Sequence, residues 1–245
     1  MAKPNPSKPF VLHQGSCHCK AVQFEFDAPS DLVQTKCNCS ICRMKGNVHT
    51  IVPKSRFRLL QGQDMLTLYT FNTHTAHHLF CKRCGVQSFY SPRSSPEVGY
   101  AITVGCVDPT TITSITTENS MPNSTDSKPL VLHHGSCHCK AVEFEFEAPS
   151  DLVQTECNCS ICTMKGNIHT IVHKSHFKML QGEDILTLYT FHTHKSQHLF
   201  CKRCGVQAFF IPRLDPDAYA VTVACVDPDT ITSVKTETFD GKNWN

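Results

Sequence analysis

The chain carries one pattern of closely spaced cysteines twice, with the same spacing in both copies. The cysteines of the first copy are Cys17 and Cys19, then Cys37, Cys39 and Cys42, then Cys81 and Cys84, with Gly85 following. Those of the second copy are Cys137 and Cys139, then Cys157, Cys159 and Cys162, then Cys201 and Cys204, with Gly205 following. Thiols one or two residues apart, once gathered by a fold, bind soft divalent metal ions, usually zinc. The sequence therefore predicts two metal-holding domains.

The repeat extends well beyond the cysteines. Residues 131–210 are identical to residues 11–90 at about three positions in four, which indicates an internal duplication. The run from Asn119 to Pro129 is polar, contains prolines and has no hydrophobic periodicity, so it is predicted to be a linker. The predicted organisation is an N-terminal tail at residues 1–9, a first domain at 10–118, the linker at 119–129, a second domain at 130–240 and a C-terminal tail at 241–245.

Alternation of apolar and polar residues predicts a mainly β fold. Val22, Phe24 and Phe26 alternate with polar residues, and residues 142–146 repeat the pattern, which is the period of a half-buried strand. Further β-rich runs occupy residues 66–71, 78–80, 86–90 and 100–107. No window of eleven or more residues shows a convincing 3.6-residue period, and a helical turn is predicted only near Ser40–Lys45. Each domain is therefore predicted to be small, all-β and stabilised by bound zinc.

The composition argues against polyanions and membranes as partners. The formal net charge is +2, and only Lys82-Arg83 and Lys202-Arg203 would favour nucleic acid. No apolar run approaches the roughly 18 residues of a membrane span, and residues 1–9 do not resemble a signal peptide. We therefore expect an intracellular protein, cytoplasmic or nuclear, whose thiols stay reduced. A disulfide framework, which the even number of cysteines in each copy permits, is the alternative.

The seven clustered cysteines of each domain divide most simply into four and three. A closed structural zinc site takes four protein ligands, whereas a catalytic site takes three and keeps one position for water or substrate. The outer pairs of cysteines can supply four ligands if the opening strand lies beside the C-x-x-C turn, where Gly85 permits a positive φ. We call these the four-cysteine clusters, formed by Cys17, Cys19, Cys81 and Cys84 and by Cys137, Cys139, Cys201 and Cys204. The triads are Cys37, Cys39 and Cys42, and Cys157, Cys159 and Cys162.

An open triad would be suited to binding a thiol. A metal ion held by three thiolates can accept a fourth thiolate from a small molecule and keep it deprotonated near neutral pH. The alternative is that a histidine, such as His18 or His49, fills the fourth position and closes the site. His49 and His169 follow the triads by a short loop and are also candidates for hydrogen-bond donors to the metal ligands.

The remaining cysteines and most histidines are predicted to have no metal-binding role. Cys106 and Cys225 lie in apolar strand contexts, so they are expected to be buried free thiols. The histidines of one polar segment are expected to be solvated or hydrogen-bonded surface residues; they are His74, His77, His78, His194 and His198.

The ordered motifs G-S-C-H-C-K-A-V, C-N-C-S-I-C and H-L-F-C-K-R-C-G-V-Q resemble a known domain. It is the domain shared by glutathione-dependent formaldehyde-activating enzymes and centromere protein V. The resemblance covers nearly the whole chain twice. The segment F-N-T-H at residues 71–74 and the ending T-E-T-F-D-G-K-N-W look closer to centromere protein V than to the bacterial enzymes.

This resemblance implies an Mss4-like fold with about two zinc ions per domain. The four-cysteine clusters would hold structural zinc, and the triads would hold catalytic zinc. The implied activity is that of a carbon–sulfur lyase, an S-(hydroxymethyl)glutathione synthase that joins glutathione to formaldehyde or reverses that reaction. Lys36, Arg43 and Lys45 could pair with the carboxylates of glutathione, but Glu156 and Thr163 replace the first two in the second copy.

The competing hypothesis is a protein without enzymatic activity. In that case the zinc-stabilised domains would present a surface to a protein partner. The two hypotheses differ in whether the protein accelerates the formation of S-hydroxymethylglutathione.

Overall fold

A computed structural model of the chain describes residues 9–37, 39–93, 99–116 and 130–243. Contacts between Cα atoms divide the chain into two compact units. The first unit consists of Met1–Asn38 and Asn47–Asn119, and the second consists of Cys39–Gly46 and Ser120–Asn245. The predicted linker lies outside the described residues, as do residues 1–8 of the predicted N-terminal tail and residues 244–245 of the C-terminal one. The predicted domain bounds, 10–118 and 130–240, stay predictions.

The first copy of the repeat consists of short strands. The strands are β1 (Phe10–Ser16), β2 (Gln23–Pro29), β3 (Asp31–Val33), β4 (Thr35–Lys36), β5 (Val48–Pro53), β6 (Phe57–Gln61), β7 (Leu66–Tyr69), β8 (His77–Cys81), β9 (Phe89–Ser91), β10 (Gly99–Thr103) and β11 (Ser114–Thr116). A single α-helical turn, α1 (Ser40–Met44), follows β4, and short 3-10 helices occupy Lys54–Arg56, Gln63–Met65, Val104–Cys106 and Pro109–Thr111.

The second copy repeats this order. Its strands are β12 (Leu130–Ser136), β13 (Glu143–Pro149), β14 (Asp151–Cys157), β15 (Ile168–His173), β16 (Phe177–Gln181), β17 (Leu186–Tyr189), β18 (Gln197–Cys201), β19 (Phe209–Ile211), β20 (Ala218–Thr222) and β21 (Ser233–Phe239). The helical turn α2 (Ser160–Lys165) follows β14, and 3-10 helices occupy Lys174–His176, Glu183–Ile185, Val223–Cys225 and Pro228–Thr230.

Each copy combines a small sheet with a larger one. The first copy has a three-stranded sheet in the order β1-β2-β6, a six-stranded sheet in the order β4-β5-β10-β9-β8-β7, and a separate pair of β3 with β11. In the second copy the corresponding sheets have the orders β12-β13-β16 and β17-β18-β19-β20-β15-β14-β21. Most neighbours are antiparallel, but β14 and β21 run parallel with pairs from Asp151↔Ser233 to Cys157↔Phe239.

Aromatic side chains fill the space between the two sheets of each copy. In the first copy the Phe24 ring packs edge-on against Phe89 with ring centroids 5.6 Å apart, and Phe57 lies 4.6 Å from Tyr100. The same cluster recurs in the second copy with Phe144, Phe177, Phe209 and Tyr219. Burial of such large rings supplies much of the hydrophobic stabilisation of a small domain.

The prediction of an all-β fold in two tandem copies is confirmed. Within the described residues the α-helices are two turns, of five and six residues, and the first lies where a helical turn was predicted. The strand predicted at residues 100–107 ends at Thr103, because Val104–Cys106 turn into a 3-10 helix. No described helix is both long enough and apolar enough to cross a membrane.

Candidate metal centres

The fold brings the outer cysteines of each copy together. Cys17 directly follows β1, Cys81 is the last residue of β8, and Cys19 and Cys84 lie in the tight turns that follow. In both copies the four Sγ atoms all lie within 4.8 Å of one another. The Sγ atom of Cys19 lies 3.6 Å from that of Cys17 and 3.7 Å from that of Cys81. In the second copy the Sγ atom of Cys139 lies 3.5 Å from that of Cys137 and 3.7 Å from that of Cys201.

These spacings fit a tetrahedral metal ion. Zinc–sulfur bonds of about 2.3 Å in a tetrahedron place neighbouring sulfurs about 3.8 Å apart. A disulfide would instead bring two sulfurs to about 2.05 Å. The donor set and its spacing therefore suit zinc without any rearrangement of the sulfurs.

Burial and backbone hydrogen bonds also favour thiolate ligands at the four-cysteine clusters. Cys17, Cys81 and Cys84 are fully buried, and the Val22 N–H donates to Cys17 Sγ over 3.3 Å. The corresponding bond in the second copy joins the Val142 N–H to Cys137 Sγ over 3.4 Å. Hydrogen bonding to Cys19 raises the pKa of Cys17, and the same contact lowers the pKa of Cys19. The close approach of four sulfurs favours binding of a divalent cation, because the cation compensates the negative charges of several thiolates at once.

The glycine after each C-x-x-C motif has the predicted backbone. Gly85 and Gly205 both have φ of +71°, a left-handed conformation that glycine adopts without strain. The Gly85 N–H donates to the Cys81 carbonyl oxygen over 2.8 Å and closes the turn. This turn holds Cys81 and Cys84 on the same side.

The triads form where a strand passes into the helical turn. In the second copy Cys157 ends β14, Cys159 is the residue before α2, and Cys162 lies within α2. The three Sγ atoms of each triad lie within 4.8 Å of one another. Cys42 and Cys162 are buried, Cys37, Cys157 and Cys159 are half-buried, and Cys39 is exposed. The hydrogen bond from Cys159 lowers the pKa of Cys157 to about 2, so the triad favours at least one thiolate.

Within the described residues, no fourth ligand joins either triad. Among the residues that the structure describes, no further His, Cys, Asp or Glu ligand atom lies within 4.8 Å of all three sulfurs. The positions of His18 and His49 therefore give no support to the alternative in which a histidine closes the first triad. With three ligands, one coordination position is left for a water molecule or a substrate.

His49 and His169 are buried beside the strands that enter the triads. His49 pairs with Thr35 of β4, and His169 pairs with Thr155 of β14. Burial lowers the pKa of each to about 4, so both rings are neutral at pH 7. Their roles as donors to the metal ligands stay predictions.

The two copies differ in the aromatic residue that contacts this histidine. The Tyr90 hydroxyl lies 3.4 Å from His49 Nε2, whereas Phe210 meets His169 edge-on at 5.0 Å and offers no hydroxyl. His169 Nδ1 is buried without a hydrogen-bond partner among the described residues.

The prediction of a surface position is wrong for two histidines, His78 and His198. His78 and His198 are each 2% exposed. The His78 ring stacks on Tyr90 at 5.0 Å and on Phe71 at 5.6 Å, and His198 is placed in the same way. His74 is exposed, as predicted, and its Nδ1 lies 2.9 Å from the Thr70 hydroxyl. His77 is exposed, and so is His194, which contacts Thr190.

The prediction of buried free thiols is confirmed, whereas pairing of the basic residues with glutathione stays a prediction. Cys106 and Cys225 are each 2% exposed and lie outside the sulfur clusters, as predicted. Burial raises the pKa of both thiols to about 12, so they remain protonated. Lys36 and Arg43 are exposed, whereas Lys45 is buried.

Sequence reasoning missed an asparagine beside the second triad. Asn167 Nδ2 donates to Cys162 Sγ over 3.9 Å, and the Thr222 hydroxyl lies 2.9 Å from Asn167 Oδ1. Because Oδ1 faces this hydroxyl, the amide nitrogen faces the sulfur. In the first copy the Thr103 hydroxyl lies 3.0 Å from Asn47 Oδ1. In the sequence, a Gly-Asn pair after each helical turn marks the position of this asparagine. Its threonine partner, however, lies more than 50 residues away along the chain.

We expect Thr222→Val to lower the free energy of unfolding by about 1–3 kcal/mol. The Thr222 hydroxyl lies 2.9 Å from Asn167 Oδ1 and 2.7 Å from the Gln207 carbonyl oxygen, and its loss would leave a buried acceptor without its donor. Urea denaturation of the metal-loaded chain measures the change. Thr238→Val is the control, because Thr238 is an exposed threonine of β21. Equal effects of the two substitutions would show that the buried hydroxyl does not matter.

Comparison with known proteins matches both copies of the repeat to one family. The family model described as glutathione-dependent formaldehyde-activating enzyme matches residues 12–121 and 132–241. A protein of Halomonas elongata, provisionally named a glutathione-dependent formaldehyde-activating enzyme, is 29% identical over 89 residues, which are 30% of this chain and 52% of that protein. The chain thus spans about half the length of this curated relative.

A solved structure is also similar in sequence. The crystal structure of a Rhodobacter sphaeroides protein is 33% identical, and the match covers 42% of this chain and 99% of that one, with a TM-score of 0.36. The family model covers most of the chain, once in each copy of the repeat. The chain therefore belongs to the family of glutathione-dependent formaldehyde-activating enzymes, with two tandem copies of the family domain.

Proposed function

We propose that the chain binds a small thiol of the glutathione type at its triads and catalyses the addition of this thiol to formaldehyde. A new carbon–sulfur bond forms, the thiol proton is transferred to the formaldehyde oxygen, and S-hydroxymethylglutathione results. The reverse reaction is that of a carbon–sulfur lyase. The observation that carries the proposal is a group of three thiols, repeated in both copies, for which the described residues provide no fourth ligand.

The cysteines have two proposed roles. Each four-cysteine cluster would hold a structural zinc ion. The ligands would be Cys17, Cys19, Cys81 and Cys84 in the first domain and Cys137, Cys139, Cys201 and Cys204 in the second. Each triad would hold a catalytic zinc ion, bound by Cys37, Cys39 and Cys42 in the first domain and by Cys157, Cys159 and Cys162 in the second. The total would be about four zinc ions per chain. When bound, zinc lowers the pKa of a coordinated thiol and polarises a carbonyl oxygen.

The positions of the triad residues suit this role. Cys42 and Cys162 anchor each triad in the interior, whereas the other triad cysteines are half-buried or exposed, so a ligand can approach from that side. Asn167 directs its amide nitrogen at Cys162 Sγ, and such donors fix the orientation of a metal-bound thiolate. The four-cysteine clusters lack this openness, since three of their four cysteines are fully buried in each copy.

Exchange NMR of glutathione with formaldehyde tests the proposal. The uncatalysed reaction is already easy, so the rate must be compared with and without the zinc-loaded protein at the same concentrations. We expect the protein to accelerate exchange and the Cys39→Ala/Cys159→Ala variant to abolish the acceleration, because each triad loses a ligand.

A matched control uses cysteines outside the clusters. Cys106→Ala/Cys225→Ala should retain the acceleration, because these thiols lie outside the sulfur groups. If the intact protein gives no acceleration and glutathione does not change the absorption spectrum of the cobalt-substituted chain, the zinc-stabilised interaction module is the better description.

A further inference from the structure

The end of the second copy reaches the second triad. Strand β21 runs parallel to β14 along its whole length, and its last residue, Phe239, pairs with Cys157. The chain then turns through Asp240, Gly241 and Lys242 to Asn243. We call residues 239–243 the C-terminal turn.

The C-terminal turn holds Asn158, the residue between two triad cysteines, through three hydrogen bonds. The Asn158 backbone N–H donates to the Phe239 carbonyl oxygen over 3.2 Å. Its side-chain Nδ2 donates to Asp240 Oδ1 over 2.9 Å, and its Oδ1 accepts from the Lys242 N–H over 2.8 Å. The backbone N–H and both polar atoms of the Asn158 side chain are therefore bonded to the same five-residue turn.

The turn is itself closed by the carboxylate that binds Asn158. Asn243 Nδ2 donates to Asp240 Oδ2 over 2.8 Å, so the two oxygens of Asp240 link the metal-site loop to the far end of the turn. Donors from Asn158 and Asn243 lower the pKa of Asp240, which keeps the carboxylate charged near neutral pH. A charged acceptor makes stronger hydrogen bonds than a neutral one.

Gly241 packs directly on a triad sulfur. A Cβ atom added at Gly241 would lie 2.5 Å from Cys157 Sγ and 3.0 Å from Cys159 Cβ. Only a residue without a side chain can occupy this position while Cys157 keeps its place. The turn therefore contacts the triad itself as well as Asn158.

The first copy has a different sequence at these positions. Cys106 aligns with Cys225, and the same offset aligns Ser120, Met121 and Pro122 with Phe239, Asp240 and Gly241. Met121 carries no carboxylate, and Pro122 carries a ring where Gly241 has only hydrogen. Asn38 and residues 117–129 lie outside the described residues, so this is a comparison of sequences.

We infer that Asn158 and Asp240 are positioning residues of the second triad, and that the second triad consequently binds its metal ion more tightly than the first. The inference rests on the proposed binding of metal by the triads. The turn fixes the Cys157–Cys159 segment before the metal arrives, so less conformational entropy is lost on binding. Loss of an outer hydrogen-bonding partner of metal ligands typically lowers metal affinity 10–100-fold.

Cobalt titration against a competing chelator tests this inference, because the thiolate-to-cobalt and ligand-field absorption bands report occupancy of a sulfur site. Cys39→Ala leaves only the second triad intact, and Cys159→Ala leaves only the first. We expect the second triad to bind Co²⁺ at least 10-fold more tightly. In the Cys39→Ala background, Asp240→Ala should lower the affinity 10–100-fold and change the ligand-field bands.

Two further variants separate positioning from folding. Asp240→Asn keeps an acceptor oxygen for Asn158 and should restore most of the affinity. Asp215→Ala removes another exposed aspartate of the same unit, whose carboxylate accepts from the Asp217 N–H, and should leave the affinity within about two-fold of its parent. Thermal unfolding of every variant checks that the fold is retained.

Two results would overturn the inference: equal affinities of the two triads, or an Asp240→Ala variant that binds Co²⁺ as tightly as its parent. Absence of the metal binding on which the proposed function depends would look different. In that case neither background would take up cobalt beyond the two ions expected for the four-cysteine clusters.

Discussion

Replacement of Cys204 by serine is expected to unfold the second domain. Cys204 is fully buried and its sulfur is one of four that lie within 4.8 Å of one another. A structural zinc site of this kind can contribute on the order of 10–16 kcal/mol of apparent binding free energy that is coupled to folding. Because a whole domain typically has a net stability of only about 5–15 kcal/mol, weakening one such site removes most or all of it. Loss of dispersed amide signals from the second copy in an NMR spectrum would measure the effect.

Cys225→Ala is the matched control for this substitution. Cys225 is also a buried cysteine of the same copy, 2% exposed, but its sulfur belongs to no cluster. Its replacement removes one sulfur atom from the core, so a cost of about 1–2 kcal/mol and a folded domain are expected. If Cys204→Ser cost no more than Cys225→Ala, the four-cysteine clusters would not be the structural centres of the fold.

The parts of the sites that depend on short-range spacing were predictable from the sequence. Three cysteines within six residues, such as Cys157, Cys159 and Cys162, can meet only if the chain turns tightly, and the helical turn α2 provides this. The association of Cys17 and Cys19 with Cys81 and Cys84 spans more than 60 residues. Cysteine chemistry nevertheless predicted it, because two pairs of thiols are each an incomplete ligand set.

The buried position of His78 was also available from the sequence. His78 and Phe80 lie two residues apart on β8, and side chains two residues apart on a strand point to the same face. Phe80 is buried, while His77 on the opposite face is exposed. The neighbouring polar residues suggested a surface segment, but the period of the strand was the better guide. His198 and Phe200 repeat this arrangement on β18.

The supporting residues of the triads could not be predicted in the same way. Thr222 reaches Asn167 across 55 positions, and Asp240 reaches Asn158 across 82. Neither contact leaves a local pattern, because the pairing of β15 with β20 and of β14 with β21 decides which residues meet. Parallel pairing of β14 with the last strand depends on the completed fold, so the C-terminal turn becomes recognisable as part of the site only in the structure.

Partial removal of metal is expected to abolish the proposed reaction while the fold remains intact. With zinc bound as proposed, each triad would supply three protein ligands and leave one position where a chelator can bind. The first two cysteines of each triad are half-buried or exposed. In the four-cysteine clusters four thiolates would complete the coordination shell. Three cysteines of each cluster are fully buried: Cys17, Cys81 and Cys84 in the first copy and Cys137, Cys201 and Cys204 in the second. A mild chelator should therefore remove about two of about four zinc ions first.

The removal of these ions can be followed by elemental analysis, exchange NMR and circular dichroism on the same sample. We expect the exchange rate of glutathione with formaldehyde to fall to the rate without protein when the first two zinc ions are lost, whereas the unfolding temperature should change little. Readdition of zinc should restore the rate, because the triad sulfurs are held by α1, α2 and the strands that precede them. Full acceleration by a chain with only two zinc ions would place the activity outside the triads. Simultaneous loss of activity and fold would mean that the triads too are structural sites, since an open site can lose its metal without unfolding the domain around it.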